Sequence, residues 1–164
     1  MAEVKCNSEK YEGVYALQNV INYYGYGDGF QSSWQKWKAY GVNQDVLELA
    51  MQSMYGLKKA HNKNKGTQLH QIMIVVSAEE IKMTFGRSSR TAEDSVIDFI
   101  GEYLLRNGLQ SICFKYKSKK GIFLRFIVNS VTLNGKLISN IKPFTKEIEF
   151  LLKQKLNCSD KLGD

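Results

Sequence analysis

The stretch Lys115–Ser139, KYKSKKGIFLRFIVNSVTLNGKLIS, decides how the chain is read. It opens on a basic turn carrying Lys115, Lys117, Lys119 and Lys120. A long apolar strand follows and ends in Ile127-Val128-Asn129-Ser130-Val131. Gly121, Phe123 and Arg125 stand at alternate positions of that strand, so they share one face of any sheet it joins. Asn134-Gly135 then marks a hairpin turn, because the favoured two-residue turn needs positive φ at both central positions, and a short return strand is expected behind it.

Outward from this stretch, the bulk numbers fit one domain over residues 1–164. A chain of 164 residues with 43% hydrophobic and 12% aromatic side chains can fill a single core. One proline and 13 glycines argue against a linker-rich or disordered chain. The formal net charge of +7 favours anionic partners, nucleic acid before membrane, although solvated surface lysines give the same balance. Cys6, Cys113 and Cys158 are far apart and form no CxxC pair, so neither a zinc ribbon nor a disulfide scaffold is indicated, and a reducing cytosol is the natural reading. No apolar run approaches the roughly 18 residues of a membrane span. The opening MAEVKCNSEK lacks the apolar core of a secretory signal. A soluble, cytoplasmic protein without a membrane partner is expected.

Residues 2–7 read as a short first strand. Val14, Leu17, Val20, Ile21 and Tyr24 fall three and four apart, which predicts a helix ending at the GYGDG loop. That loop follows a helix rather than a strand, so it is not a phosphate-binding fingerprint. Trp34 and Trp37 lie in a short segment ending at Tyr40-Gly41. A second helix is predicted over 44–60 with Asn43 as N-cap, then a loop at 61–66 and a β-branched strand, LHQIMIVVS, over 69–77. A third helix opens around Thr91 and stops at Asn107-Gly108, a strand covers 109–116, and a final helix covers 145–156. The fold class is α+β, an antiparallel sheet with helices on one or both faces.

Three blocks of this sequence resemble the relaxase/mobilisation nuclease family, the enzymes that nick plasmid DNA to start conjugation. In the first, Leu17-Gln18-Asn19-Val20-Ile21-Asn22-Tyr23 is similar to a Leu-rich helix that carries an Asn-Tyr pair. In the second, 40–80, Ala50, Met51 or Met54, Lys58-Lys59, Gly66, His70 and Ser77-Ala78-Glu79-Glu80 follow the family's order of helix, loop and strand. The third is the Lys115–Ser139 stretch, with Asn129-Ser130-Val131 intact. In the family that strand opens with a His-x-His-Asn-His run; here the three histidine positions hold Gly121, Phe123 and Arg125. The resemblance spans about residues 14–140. It implies a His-hydrophobe-His endonuclease (relaxase-like) fold whose metal site is missing.

Relaxase chemistry needs an attacking tyrosine, a divalent metal held by imidazoles, and a basic surface for the strand. The chain holds two histidines, His61 and His70, so a three-histidine site within it is impossible. No Asp or Glu lies between 115 and 131 to substitute, and Arg125 would repel a cation. Neither a metal nor another cofactor is expected, and a metal-free reaction led by Arg125 is the minor variant. The resemblance makes Tyr23, with its neighbour Tyr24, the position of the attacking tyrosine, although either also reads as a helix residue packing on the sheet. His70 is an inherited site residue or, as favoured, a hydrogen-bonded strand histidine. Glu79 and Glu80, read as strand residues, would face opposite sides and make no catalytic pair.

Binding is the function that better survives these losses. Lys115, Lys117, Lys119, Lys120 and Arg125 form one basic group, Lys58, Lys59, Lys63 and Lys65 a second, and Arg87 with Arg90 a third. Tyr24, Tyr26, Phe30, Trp34 and Trp37 can stack on bases if exposed. Each lysine run also reads as an ordinary loop, and the tryptophans as core. The leading expectation is a relaxase-like DNA-binding protein of a mobile genetic element. Its partners would be single-stranded or origin-duplex DNA, with an active relaxase or other transfer proteins beside it. The alternatives are a divergent relaxase cleaving single-stranded DNA through a tyrosine, and a protein-interaction module on the same scaffold.

Overall fold

Strand β5 (Gly121–Asn129) runs through the middle of a five-stranded sheet in the order β1-β3-β5-β4-β2. The computed structural model describes residues 2–7, 11–25, 34–63, 65–85 and 89–162, with side chains described except at 34–36, 83–85, 89–91 and 156–162. The remaining strands are β1 (Glu3–Cys6), β2 (Trp34–Tyr40), β3 (Leu69–Ser77) and β4 (Ser111–Ser118), and every pairing is antiparallel. The helices are α1 (Ala16–Gly25), α2 (Leu47–Ala60), α3 (Ala78–Phe85), α4 (Ser89–Arg106) and α5 (Lys142–Leu162). This is the expected α+β class.

Alternation along β5 divides its side chains between two cores. Ile122, Leu124, Phe126 and Val128 meet Ile72 and Ile74 of β3, and α3, α4 and α5 cover them through Ile81, Val96, Ile100, Leu104 and Ile148. Ile127 points the other way, with Leu69, Ile112 and Phe114, beneath Leu17 and Ile21 of α1 and Ala50 and Met54 of α2. The result is three layers, helix on sheet on helix. Tyr55 ties the two helices of the second layer together: its hydroxyl donates to the Val14 carbonyl (3.2 Å) and accepts from the Gln18 amide (3.1 Å).

Several elements differ from the sequence reading. The segment at Trp34–Tyr40 is an edge strand, and a register shift between Gln35 and Lys38 breaks its alternation. Ser77 ends β3, and Ala78–Glu80 do not continue the strand but start α3. The Glu80 amide donates to Ser77 Oγ at 3.2 Å and that hydroxyl donates to Glu80 Oε1 at 3.0 Å, a variant of the capping box. Glu79 and Glu80 therefore lie in the first turn of a helix, not on opposite faces of a strand. Helix α2 begins at Leu47, three residues later than expected, because Asn43 Oδ1 accepts from the Asp45 and Val46 amides (2.9 and 2.8 Å) ahead of it. Asn107-Gly108 does stop α4, through bonds from Leu109 N to Leu104 O and from Gly108 N to Leu105 O, 2.9 Å each. A turn forms here, but with Leu133 and Asn134 at its centre (Gly135 N donates to Thr132 O at 2.8 Å) and only Gly135 at positive φ, and a single bridge, Val131↔Leu137, stands where a return strand was expected. Helix α5 starts earlier and runs longer than the sequence pattern implied. Among the described residues, no helix is long and apolar enough to cross a membrane.

The start of β5 bears on the missing histidines. Gly121 has φ +150°, and a Cβ there would lie 2.1 Å from the Val76 carbonyl oxygen and 2.8 Å from Ser77 Cα. Close approach of β3 thus requires glycine at this position. Gly121→Ala is expected to cost about 3 kcal/mol, read from the urea midpoint. A loss below about 0.5 kcal/mol would mean that the strand end shifts to admit a side chain.

Candidate functional site

Arg125 lies midway along β5 on the face that α1 and α2 share. Its guanidinium sits 4.5 Å from the centre of the Tyr24 ring and 5.8 Å from that of Phe123, both within cation–π range. One terminal nitrogen donates to Gln71 Oε1 at 2.5 Å. Gln71 in turn donates through Nε2 to the Tyr11 hydroxyl (2.8 Å), which also accepts from Asn7 Nδ2 (2.7 Å). Arg125 Nε is buried and has no hydrogen-bond partner. Tyr23 stands edge-on to Tyr24, ring centres 4.9 Å apart, and is 48% exposed. Val75, opposite Phe123 on β3, is exposed as well. The arrangement is a partly buried cation stacked on aromatic rings, with its unpartnered Nε–H enclosed and a terminal nitrogen directed at Gln71. Such a group can take a phosphate oxygen and stack a base.

The structure separates the remaining basic candidates. Lys115 is 6% exposed, and its ammonium lies 3.1 Å from Glu93 Oε2. Lys117 reaches the other oxygen of the same carboxylate at 3.1 Å. Both alternate with Cys113, so they belong to the α4 side of the sheet, opposite Arg125. The expectation that Lys115, Lys117 and Arg125 line one groove is corrected: strand alternation puts them on two faces, and Glu93 withdraws Lys115 from solvent. Lys119 and Lys120 form the exposed turn between β4 and β5. Lys59 is exposed near the end of α2. Lys58 is fully buried and donates to the Gln68 backbone carbonyl and to Gln68 Oε1, so it too is unavailable to phosphate. Arg87, Tyr26 and Phe30 lie outside the described residues, as do the side chains of Arg90 and Trp34. Trp37 packs against the α1–α2 core.

His70 is held away from the tyrosines. It alternates with Gln71 and so lies on the opposite face of β3, nearly buried, with Nε2–H donating to the Ile138 carbonyl at 2.7 Å. Burial lowers its pKa from the usual histidine value, the Ile138 bond opposes this, and the Lys58 charge adds to the lowering. Of the two readings of His70, the geometry shows the hydrogen-bonded strand histidine, on the face of the sheet away from Tyr24 and Arg125. His61 is exposed in the turn after α2, its ring against Gly135. Burial lowers Lys58 to about 8. Burial, then the bond to Asp98, raises Tyr40, and burial raises Cys113.

The family's metal does not fit this strand. Gly121 has no room for a side chain, Phe123 offers no donor, and Arg125 is a cation. No group of three or more His, Cys, Asp or Glu side chains is placed to hold a metal ion among the described residues. Gln71, Tyr11 and Asn7, linked to Arg125 by hydrogen bonds, are not bases at neutral pH. Gln71, Tyr11 and Asn7 were absent from the sequence reading; the one signal was a lone glutamine inside LHQIMIVVS. No family model, curated protein or solved structure matches the chain.

Two measurements check the buried charges. Glu93→Gln leaves Lys115 buried without its counter-ion and is expected to cost about 3–5 kcal/mol in urea unfolding, most of it recovered when Lys115→Met and Glu93→Leu are combined. Lys58 loses its proton at lower pH folded than unfolded, so the unfolded chain binds more protons between pH 8 and the ordinary lysine value of about 10.4. Its desolvation penalty is full below pH 8 and fades as pH rises through that window. Relative to Lys58→Met, the parent protein should gain stability between pH 7 and 10, by roughly 1–3 kcal/mol. The titrations of Cys113 and Tyr40 occur in both proteins and cancel.

Proposed function

We propose that this chain is a relaxase-like DNA-binding domain of a mobile genetic element, acting in DNA mobilisation without metal-dependent nicking. One observation carries the reading. The three sequence blocks that resemble the family meet at Arg125 of the third, which stacks on Tyr24, the neighbour of the first block's Tyr23, and bonds to Gln71 of the second. In the family the first block supplies the tyrosine and the third the metal strand. Here the cation at that meeting point is a guanidinium, fixed in charge at any physiological pH. The antiparallel sheet with packed helices agrees with a relaxase-like fold at the level of class. A strand of nucleic acid would lay phosphates on Arg125, with Tyr23, Tyr24 and Phe123 as stacking surfaces and Lys119 and Lys120 at the sheet end. The net charge of +7 favours its approach.

Fluorescence anisotropy with labelled single- and double-stranded oligonucleotides at two salt concentrations, with and without manganese, tests the proposal. Salt-sensitive binding that ignores manganese is expected. Arg125→Ala should weaken it about tenfold or more and lower the salt slope by about one, with Arg125→Lys intermediate. A supercoiled origin plasmid should stay uncut with or without manganese. Absence of binding at low salt would remove the DNA reading.

A further inference from the structure

The sheet has a second feature that nucleic-acid binding does not use. Strand β2 is its edge, and among the described residues no strand lies beyond it. A cavity of about 700 Å³ runs along that edge and wraps round it. Trp37 and the loop residue Asp45 line one side; Tyr40, Asp94, Ile97 and Asp98 line the other. The size lies within the range of pockets that hold ligands.

Its lining carries three aspartates, Asp45, Asp94 and Asp98, against two lysines, Lys38 and Lys115. Each lysine is already paired with a carboxylate (Asp98 and Glu93), so the described lining is net acidic where the chain as a whole is basic. Asp98 is already satisfied by Lys38 Nζ (3.0 Å) and the Tyr40 hydroxyl (2.6 Å). Asp45 and Asp94 have no hydrogen-bonded or ion-paired carboxylate partner among the described residues. Phosphates would be repelled from this groove. Edge strands are commonly guarded by a bulge or by lysines that project across them. Here the register shift ends at Lys38, pairing is regular from Lys38 to Tyr40, and the Lys38 ammonium is drawn onto α4 by Asp98. The last part of β2 therefore carries neither guard.

We propose that the β2 edge accepts an extended, basic segment of a protein partner, which adds to the sheet as a further strand. Main-chain bonds to β2 would give affinity, as in other cases of strand addition. Alternate side chains would fall to opposite faces, cationic ones reaching Asp94 on one side and Asp45 on the other, aliphatic ones resting on Ile97 and Trp37. The proposal does not depend on the DNA reading, since it uses the opposite charge and a different part of the sheet.

The probe is a fluorescein-labelled eight-residue peptide of repeating Lys-Lys-Val-Val, which presents lysine and valine on both faces of a strand. Its controls are the glutamate–valine analogue and a version N-methylated at alternate backbone nitrogens. Saturable binding of the first alone is expected in anisotropy. The combined variant Asp45→Lys/Asp94→Lys should weaken it about tenfold or more, and Asp45→Asn/Asp94→Asn by less, with the melting temperature unchanged and oligonucleotide binding not weakened. Equal binding of the N-methylated peptide would reduce the groove to a charge patch and overturn strand addition. Binding indifferent to both variants, or no binding, would overturn the site.

Discussion

Strand β5 has to satisfy two hydrophobic cores at once. It lies between β3 and β4, and a helical layer packs on each face, so consecutive residues answer to different neighbours. A slip of one residue would exchange Phe126 for Arg125 in the α4 core, which fixes the register. Gly121 sets the end of the same strand through its contact with Val76 and Ser77. Arg125 is the consequence of greatest interest. A cation in the middle of a central strand persists because its stem lies on the sheet while its head meets Gln71 and the Tyr24 ring.

Burial also redistributes the basic character of the chain. Glu93 draws Lys115 and Lys117 onto α4, and Gln68 holds Lys58 inside the second core. Lys115 and Lys58, both buried, would each cost several kcal/mol if left unpartnered, so their contacts are structural requirements and not spare capacity for phosphate, whereas Lys117 stays 40% exposed. Of the lysines named as candidates, Lys59, Lys63, Lys65, Lys119 and Lys120 stay in solvent, on exposed turns and a helix end. The positive surface is therefore more dispersed than runs of lysine in the sequence imply. The locally acidic groove at the β2 edge sharpens that contrast, separating where a polyanion can approach from where a basic peptide can.

Elements with a sustained period were legible from residues alone. The β-branched run 69–77 is β3, and the spacing of Leu17 and Ile21 marks α1. Elements without one were not. Helix α3 has eight residues, little more than two turns, and its first residues double as the end of a strand motif. The shift between Gln35 and Lys38 sets Trp34 and Trp37 three apart within a strand, which hides the alternation of β2. Two buried charges were readable but were not read. Glu93 stands three, four and seven residues before Val96, Ile97 and Ile100, and Lys58 stands four after Met54 and eight after Ala50, so both fall on apolar stripes.

By itself, the sequence determined the α+β class, the central apolar strand and the absence of a three-histidine site, because alternation, helical spacing and residue identity are local properties. It also put Gly121, Phe123 and Arg125 on a common face. Only the tertiary structure decided which basic groups remain available, that Tyr24 and not His70 stands beside Arg125, and that an acidic groove follows the β2 edge. Those facts depend on which helix covers which face of the sheet. That is set by packing between residues far apart in the chain, such as Glu93 with Lys115 and Gln71 with Arg125, and no local pattern encodes it.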